Sequence, residues 1–259
     1  MCMYADGERL FRQSGIGTAI RQFRKALVLN GVELVDDWRD ADIVHIHTIT
    51  PMSAYISKVA KSSKVVMHAH TTSEDFRDSF IFSDYLSPVL ARYLKALYSS
   101  ADLVLCPSEH TYHVLRSHGI TNEMRIISNG VDIDAFTQME QRRERERKRL
   151  GLSGVVPFSV GNVFLRKGVD VFVDVAKGFD NTFVWYGAIS KLADPRALRC
   201  VREAPPNVVF AGFVEDVVDA YAAGDVFFFP SREENQGIAV LEAAAARKPL
   251  LLSRIPAFD

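Results

Sequence analysis

The sequence predicts an α/β protein made of two doubly wound units, and three observations support this. Short apolar runs rich in Val, Ile and Phe alternate with amphipathic stretches of helix length, a pattern typical of buried parallel strands joined by helices. This alternation stops at a charged segment, residues 138–150, and then begins again. The 259 residues are 48% hydrophobic and 24% charged, which suits a globular chain with two modest domains.

The first half predicts a unit over residues 1–137 in which five strands alternate with helices. The expected strands are the apolar runs at 1–5, 42–46, 64–68, 102–106 and 124–128. The expected helices are the amphipathic stretches near 17–30, 51–62, 87–99 and 108–118.

The segment QMEQRRERERKRL at 138–150 predicts an exposed helix within a linker at 138–152. It lacks Gly and Pro internally, and Gly151 follows as a helix-ending signal. Acidic residues interleave with basic ones, which favours a solvated face over a nucleic-acid surface.

The second half predicts another unit, over residues 153–259. Its expected strands lie at 156–160, 182–186, 207–210, 225–229 and 249–252. Its expected helices lie near 168–178, 194–203, 214–222 and 237–246. The chain stops in turn-like residues after the last strand, so we expect this unit to be incomplete at its C-terminus. Two such units predict lobes that face each other across a cleft, with ligands bound at the carboxyl ends of the strands.

Composition excludes several classes of function. A net charge of −1 gives no general attraction to nucleic acid. Cys2, Cys106 and Cys200 are far apart and form no CxxC pair, which predicts reduced thiols rather than disulfides or a zinc site. No apolar run reaches the roughly 18 residues of a membrane span, and the start has no signal-peptide layout. We therefore expect a cytoplasmic protein that can still touch a membrane face.

The segment SREENQGIAVLEA, from Ser231 to Ala243, carries the strongest chemical pattern. Glu234 falls in a turn after an apolar strand, and Glu242 lies about two turns into the next helix. The backbone amides of roughly 235–238 and the helix dipole favour an anionic or polyhydroxylated ligand, and Gly237 permits its close approach. The alternative is a helix capped by acidic residues, with Glu242 facing solvent.

This segment resembles the E-x7-E motif of family four of the retaining glycosyltransferases, which have the GT-B fold. The matching landmarks are Pro230, Ser231, Glu234, Gly237, Glu242 and Ala243. The resemblance implies that Glu234 and the following amides contact the donor sugar, and that Glu242 receives the ribose hydroxyls. The residues expected to hold the donor through these amides are Gln236, Gly237 and Ile238.

The segment RQSGIGTAIRQF resembles the glycine loop of the same family, in which Gly15 and Gly17 let amides approach the donor phosphates. Ile20 replaces the third glycine of the dinucleotide fingerprint, which counts against NAD binding.

Two histidine pairs, in DIVHIHT and VVMHAHTT, resemble the second and third strands of the family. By position, His70 matches the cleft histidine thought to contact the donor sugar. For His45, His47 and His68 the simpler expectation is a hydrogen-bonded structural role. A metal site is not predicted, because no acidic or cysteine partner stands beside these residues in a ligand-like pattern.

The segment SVGNVFLRKGVDVF, Ser159 to Phe172, resembles the first loop of the donor lobe. Its cations would neutralise the departing diphosphate. The common family form has Arg after the first Gly, whereas this chain has Asn162, so Arg166 beside Lys167 is expected to supply the second cation. The alternative is a solvated basic turn.

Several segments together, including MHAHTTSEDFRDSFIFSD, resemble the glycosyldiacylglycerol synthases. In such enzymes the first lobe touches the membrane, and the helix expected at 87–99 has Arg92 and Lys95 among apolar residues. The alternative is a helix that only packs on its own sheet.

The prediction is therefore a metal-independent, retaining transfer from UDP-glucose or UDP-galactose to a glycolipid or another hydroxyl acceptor. The UDP-sugar is a co-substrate, and no other cofactor and no nucleic-acid partner are expected. The alternatives are a nucleotide-sugar epimerase of the same fold and a non-catalytic fragment.

Overall fold

A computed structural model of the protein describes residues 1–7 and 14–258. They form two compact units. Arg12 and Gln13 of the predicted glycine loop, and Asp259 at the end of the predicted second unit, lie outside the described residues. The first unit consists of Met1–Arg77, Asp84–Gly130 and Pro256–Phe258, and the second consists of Asp78–Ser83 and Val131–Ile255.

The first unit has a five-stranded parallel sheet in the order β1-β2-β3-β4-β5. Its strands are β1 (Cys2–Tyr4), β2 (Ile43–Ile46), β3 (Lys64–His68), β4 (Leu103–Cys106) and β5 (Glu123–Ile126). Its helices are α1 (Gly15–Leu29), α2 (Pro51–Val59), α3 (Ser73–Phe76), α4 (Ser83–Tyr98) and α5 (Glu109–Ser117). The strands and long helices predicted for this half are thus confirmed. All three cysteines are free thiols, as expected.

Helix α4 begins one turn earlier than predicted and contains Pro88. Proline usually lies in the first turn of a helix because it lacks an N–H, whereas Pro88 lies inside α4. The Ser87 side chain, next to Pro88, links α4 to the start of α3, because its hydroxyl donates to the Ser73 carbonyl over 2.8 Å.

Helix α4 carries both buried and exposed apolar residues. Leu94 and Leu97 are buried in the core of the first unit, so the predicted packing on its own sheet is confirmed. Tyr85, Leu86 and Val89 are exposed in its N-terminal half, with Tyr85 at 83%. Among the described residues, no helix combines the length and apolar character needed to cross a membrane.

The second unit also has a parallel five-stranded sheet, in the order β10-β9-β6-β7-β8. The strands are β6 (Pro157–Val160), β7 (Phe183–Tyr186), β8 (Val208–Gly212), β9 (Val226–Phe229) and β10 (Leu250–Leu252). The helices are α6 (Met139–Leu150), α7 (Val169–Ala176), α8 (Pro195–Arg202), α9 (Val218–Ala223) and α10 (Ile238–Ala245). These elements also confirm the sequence-based assignment.

The order of this second sheet reverses at β6. Phe158 of β6 lies opposite Val184 of β7 on one side and Phe227 of β9 on the other. Open α/β sheets bind ligands at the carboxyl ends of the two strands where the order reverses. The loops that follow β6 and β9 therefore form the expected site of this unit.

Helix α6 ends as predicted, with Gly151 in the left-handed region at φ 64°. The expected solvated face is present, with Gln141, Glu144 and Lys148 exposed, but arginines on the other side of α6 bind the end of α9. Arg143 and Arg147 both donate to the Ala223 carbonyl and pair with Asp225. Guanidinium groups can satisfy the carbonyls at a helix C-terminus, and interleaved charges along a sequence do not reveal such a partner.

Candidate functional site

Glu234 lies in the loop after β9 and is the centre of a buried charged cluster. Its side chain accepts from the Lys167 ammonium over 2.5 Å and from the Ser231 hydroxyl over 2.7 Å. The Arg166 guanidinium lies 3.8 Å from its other oxygen. Glu234 is 5% exposed, so these contacts replace the water that a carboxylate would otherwise bind.

The charge state of Glu234 follows from these contacts. Burial by itself raises the pKa of a carboxyl group, but the charges of Lys167 and Arg166 and the hydrogen bonds from Lys167 and Ser231 outweigh it, so the pKa is lowered. Glu234 is therefore ionised at neutral pH. The cluster of Glu234, Lys167 and Arg166 holds two cations against one anion, which gives these three side chains a net positive charge at the carboxyl ends of β6 and β9.

A short 3-10 turn at Leu165–Lys167 positions both cations, and Gly168 follows it with φ 75°. A Cβ atom on Gly168 would lie 2.0 Å from the Pro230 carbonyl oxygen, so only glycine allows the two loops to approach this closely. The predicted Arg166, Lys167 and Glu234 are thus brought together, and a solvated basic turn is not what the structure contains. Asn162 lies in the same loop, directly after Gly161 at the end of β6.

Arg166 is fixed by contacts that its neighbours in sequence do not predict. Its guanidinium donates to the Glu233 carbonyl over 3.0 Å and to the Ser79 hydroxyl over 3.1 Å. Ser79 belongs to the segment Asp78–Ser83, which packs in the second unit although it lies between α3 and α4 in sequence. No local pattern could have found Ser79, because 87 residues separate it from its partner.

Glu242 is buried, so the alternative of a solvent-facing Glu242 is wrong. Its carboxylate accepts from the Tyr221 hydroxyl over 2.9 Å, and that hydroxyl also lies 3.0 Å from the Ala239 carbonyl. Burial, then the charge of Glu242 and the hydrogen bond to it, raise the pKa of Tyr221 well above its ordinary range. Tyr221 therefore stays a hydrogen-bond donor that orients Glu242. Sequence reasoning missed Tyr221, because it read the helix over 214–222 only as a connecting element.

Helix α10 begins at Ile238, directly after Gly237, whose φ of 75° lies in the left-handed region. Gln236, Gly237 and Ile238 are therefore consecutive at the N-terminus of the helix that carries Glu242 in its second turn. Amides at a helix N-terminus are suited to bind a negatively charged or hydroxylated group.

The glycines of the first unit lie at the start of α1. Gly15 is the first residue of the helix and is exposed, whereas Gly17 is buried. The Ser14 hydroxyl caps the helix by accepting from the Gly17 amide over 3.5 Å. The structure thus puts both glycines in the first turn, as the glycine-loop pattern predicts.

The four histidines cluster at the carboxyl ends of β2 and β3. The rings of His68 and His70 stack with centroids 4.1 Å apart, and those of His47 and His68 lie 5.4 Å apart. Phe23 of α1 lies edge-on to the cluster, 4.8 Å from His68. Nδ1 of His47 and Nε2 of His70 are 3.0 Å apart and share a hydrogen bond.

The expectation of a hydrogen-bonded structural role holds for His47, which bonds to His70, but is wrong for His68 within the described residues. Within residues 1–7 and 14–258, Nε2 of His45, Nε2 of His47 and both ring nitrogens of His68 have no hydrogen-bond partner. Burial lowers the pKa of His45 to about 4, and burial with the charge of His45 lowers that of His70 to about 3. The rings are therefore neutral imidazoles. The expectation failed for His68 because it treated each strand separately, whereas the pairing of β2 with β3 surrounds these nitrogens with other rings.

Family models and relatives of known name match this chain over most of its length. Residues 6–135 match the model of Glycosyltransferase Family 4, and residues 155–259 match that of Glycosyl transferases group 1. A processive diacylglycerol alpha-glucosyltransferase of Acholeplasma laidlawii is 34% identical over 99% of this chain and 79% of its own length. An alpha-galactosylglucosyldiacylglycerol synthase of Streptococcus pneumoniae is 29% identical over 82% of this chain and 60% of its own length.

Solved structures share the fold. HepE of Anabaena, crystallised with UDP-glucose, superposes with a TM-score of 0.77 at 15% identity, over 99% of this chain and 80% of its own. WaaG, a glycosyltransferase involved in lipopolysaccharide biosynthesis, superposes with a TM-score of 0.64 at 17% identity, over 99% of this chain and 81% of its own. The family models, the relatives and the two parallel sheets agree: the chain belongs to glycosyltransferase family 4 and is a hexosyltransferase of GT-B fold.

Proposed function

We propose that this enzyme transfers a hexose from UDP-glucose or UDP-galactose to a sugar hydroxyl of a glycosyldiacylglycerol, with retention of the anomeric configuration. The observation that carries the proposal is the buried cluster of Glu234, Lys167 and Arg166 at the carboxyl ends of β6 and β9. Two relatives, one named as a processive diacylglycerol alpha-glucosyltransferase and one as an alpha-galactosylglucosyldiacylglycerol synthase, support the choice of acceptor.

In the proposed donor complex, the diphosphate binds next to Lys167 and Arg166. The two cations neutralise the charge that grows on the β-phosphate as the bond to the sugar breaks. Asn162 and the helix start at Gln236–Ile238 contribute amide donors to the phosphates and the hexose. We infer that these groups supply the stabilisation for which other transferases use a divalent cation.

Glu234 and Glu242 have separate roles in this proposal. Glu234 accepts hydrogen bonds from hexose hydroxyls and holds the sugar, while Glu242, oriented by Tyr221, receives the two ribose hydroxyls. Gly15 and Gly17 of the first unit allow amides to approach the phosphates, and His70 contacts the donor hexose. These assignments rest on the family motif together with the burial and the partners of each carboxylate.

The proposed transfer is balanced without an enzyme nucleophile. The bond between the anomeric carbon and the β-phosphate oxygen breaks, and the acceptor oxygen bonds to the same face of that carbon. The acceptor proton passes to the departing phosphate, so the products are UDP and an α-linked glycolipid. The enzyme contributes orientation and charge stabilisation.

Peripheral contact with the cytoplasmic membrane face completes the proposal, since a diacylglycerol acceptor is embedded in lipid. The exposed Tyr85, Leu86 and Val89 of α4, with Arg92 and Lys95 exposed further along the helix, suit an interface of apolar chains and anionic headgroups. A triple variant with Tyr85→Ser, Leu86→Ser and Val89→Ser should bind anionic vesicles more weakly and should still bind UDP-glucose.

The proposal is tested by measuring UDP release from UDP-glucose and UDP-galactose, with and without monoglucosyldiacylglycerol in detergent micelles. We expect acceptor-dependent release that Glu234→Ala lowers at least about 100-fold, and that Glu215→Ala, a change at an exposed carboxylate, leaves intact. Added Mg²⁺ should not restore a Lys167→Met variant. Release without acceptor, or none with any acceptor despite UDP binding, would instead favour the epimerase or the non-catalytic alternative, neither of which the matched transferases favour.

A further inference from the structure

The histidine cluster of the first unit has a feature that the transfer reaction does not require. Nε2 of His45, Nε2 of His47 and the ring nitrogens of His68 are buried polar atoms without a partner among the described residues. Each side chain is more than nine-tenths buried. Leaving a buried polar atom unpaired is energetically unfavourable, so three such side chains at one place require an explanation.

The register of the sheet brings these atoms together. His45 and His47 are two residues apart and point to the same face of β2. Ile46 of β2 pairs with Met67 of β3, so the next residues along the two strands, His47 and His68, are neighbours. One nitrogen from each of the three side chains lies within 4.8 Å of the others.

We propose that His45, His47 and His68 bind a divalent first-row transition-metal ion, with zinc as the best fit. Three imidazoles and no carboxylate are a donor set typical of Zn²⁺ rather than of Mg²⁺ or Ca²⁺. Tetrahedral zinc with bonds of 2.0–2.1 Å needs nitrogens about 3.3 Å apart, so side-chain rotation must bring the nitrogens closer by at most about 1.5 Å. Three protein ligands leave a fourth position for water or a small anion.

The hydrogen bond between His47 and His70 supports this assignment. When Nδ1–H of His47 donates to Nε2 of His70, Nε2 of His47 carries a lone pair and can bind a metal ion. Metal-binding histidines generally donate their other N–H to a neighbouring acceptor, which fixes the tautomer and the ring orientation. His70 would be that acceptor, so its role toward His47 is to position a ligand.

The site is tested with the full chain after chelator treatment and dialysis, titrated with Zn²⁺ by calorimetry and with Co²⁺ by visible absorption. We expect one equivalent to bind, with the intense visible bands of tetrahedral cobalt. His45→Asn, His47→Asn and His68→Asn should each weaken binding by about 100-fold or more. His113→Asn, a change at an exposed histidine of α5, should bind like the wild type.

Far-ultraviolet circular dichroism identifies any variant that fails to fold, and His70→Asn provides a further measurement that leaves the three ligands His45, His47 and His68 in place. It should weaken binding by about 10–100-fold, the usual effect of removing a residue that orients a metal ligand. Absence of stoichiometric binding by the wild type, or binding that persists in all three ligand variants, would overturn the proposal.

Discussion

Lys167→Met should destabilise the second unit by about 3 kcal/mol, because it removes the closest partner of a buried carboxylate. Breaking a buried ion pair from one side typically costs about 3–5 kcal/mol, and the lower end applies here because Ser231 still donates to Glu234 and Arg166 remains at 3.8 Å. Methionine fits the space, since the Lys167 ammonium lies over the Phe229 ring at 5.1 Å from its centroid.

The assay is urea unfolding at pH 7, followed by tryptophan fluorescence in a Trp38→Phe background. The chain has two tryptophans, and Trp185 of the second unit is fully buried, so the remaining signal reports on that unit. Lys177→Met is the matched control, because its ion pair with Asp174 is largely exposed and should contribute about 0.5 kcal/mol or less.

A double-mutant cycle then isolates the pair itself. Adding Glu234→Gln to Lys167→Met removes the unpaired charge and should recover most of the loss, giving a coupling energy of about 2–3 kcal/mol. A Lys167→Met cost below about 1 kcal/mol, or purely additive effects in the double variant, would refute the reasoning that Glu234 is a buried, ionised carboxylate.

Three further predictions concern the same unit. Tyr221→Phe removes the hydroxyl that orients Glu242 and should raise KM for the UDP-sugar about 10-fold with little change in kcat, as steady-state kinetics would reveal; an unchanged KM would show that Tyr221 only fills space. Because the folded-state pKa of Glu234 lies below its ordinary value of 4.5, its contribution to the free energy of unfolding is complete above pH 4.5 and is lost as the pH falls further, so Glu234→Gln should flatten the urea-stability profile in that range. Gly168→Ala should lower the free energy of unfolding by about 2 kcal/mol or more in the same assay, because the added methyl group would clash with the Pro230 carbonyl and because alanine is strained at the φ of 75° that Gly168 adopts. A loss below about 0.5 kcal/mol would contradict the close approach of the two loops.

The fold could be predicted almost completely from the sequence. Buried parallel strands are short, continuous apolar runs, and the helices between them carry a clear 3.6-residue period, so each signal is local. Helix α6 is an example of contacts that local sequence signals do not predict. Its own residues predict a helix, but the partners of Arg143 and Arg147 lie about 80 residues away on α9 and Asp225, so local pattern reading assigned its charges to solvent.

The candidate site could be predicted in part. Glu234 and Glu242 stand in one recognisable motif, and Lys167 stands in another. The side chains that hold these residues were missed, because Ser79 and Tyr221 reach them only through tertiary packing. The closeness of His45, His47 and His68 was missed for the same reason, since it arises from the pairing of β2 with β3 and not from either strand alone.

The central claim is a retaining hexosyl transfer to a glycolipid, and the product itself tests it most directly. The enzyme would be incubated with UDP-glucose or UDP-galactose and monoglucosyldiacylglycerol, and the lipid fraction analysed by mass spectrometry and by proton NMR of the new anomeric centre. The account predicts a diglycosyl lipid that has gained one hexose in α linkage. A β-linked product, or a lipid fraction unchanged while the UDP-sugar is converted to another nucleotide sugar, would contradict it.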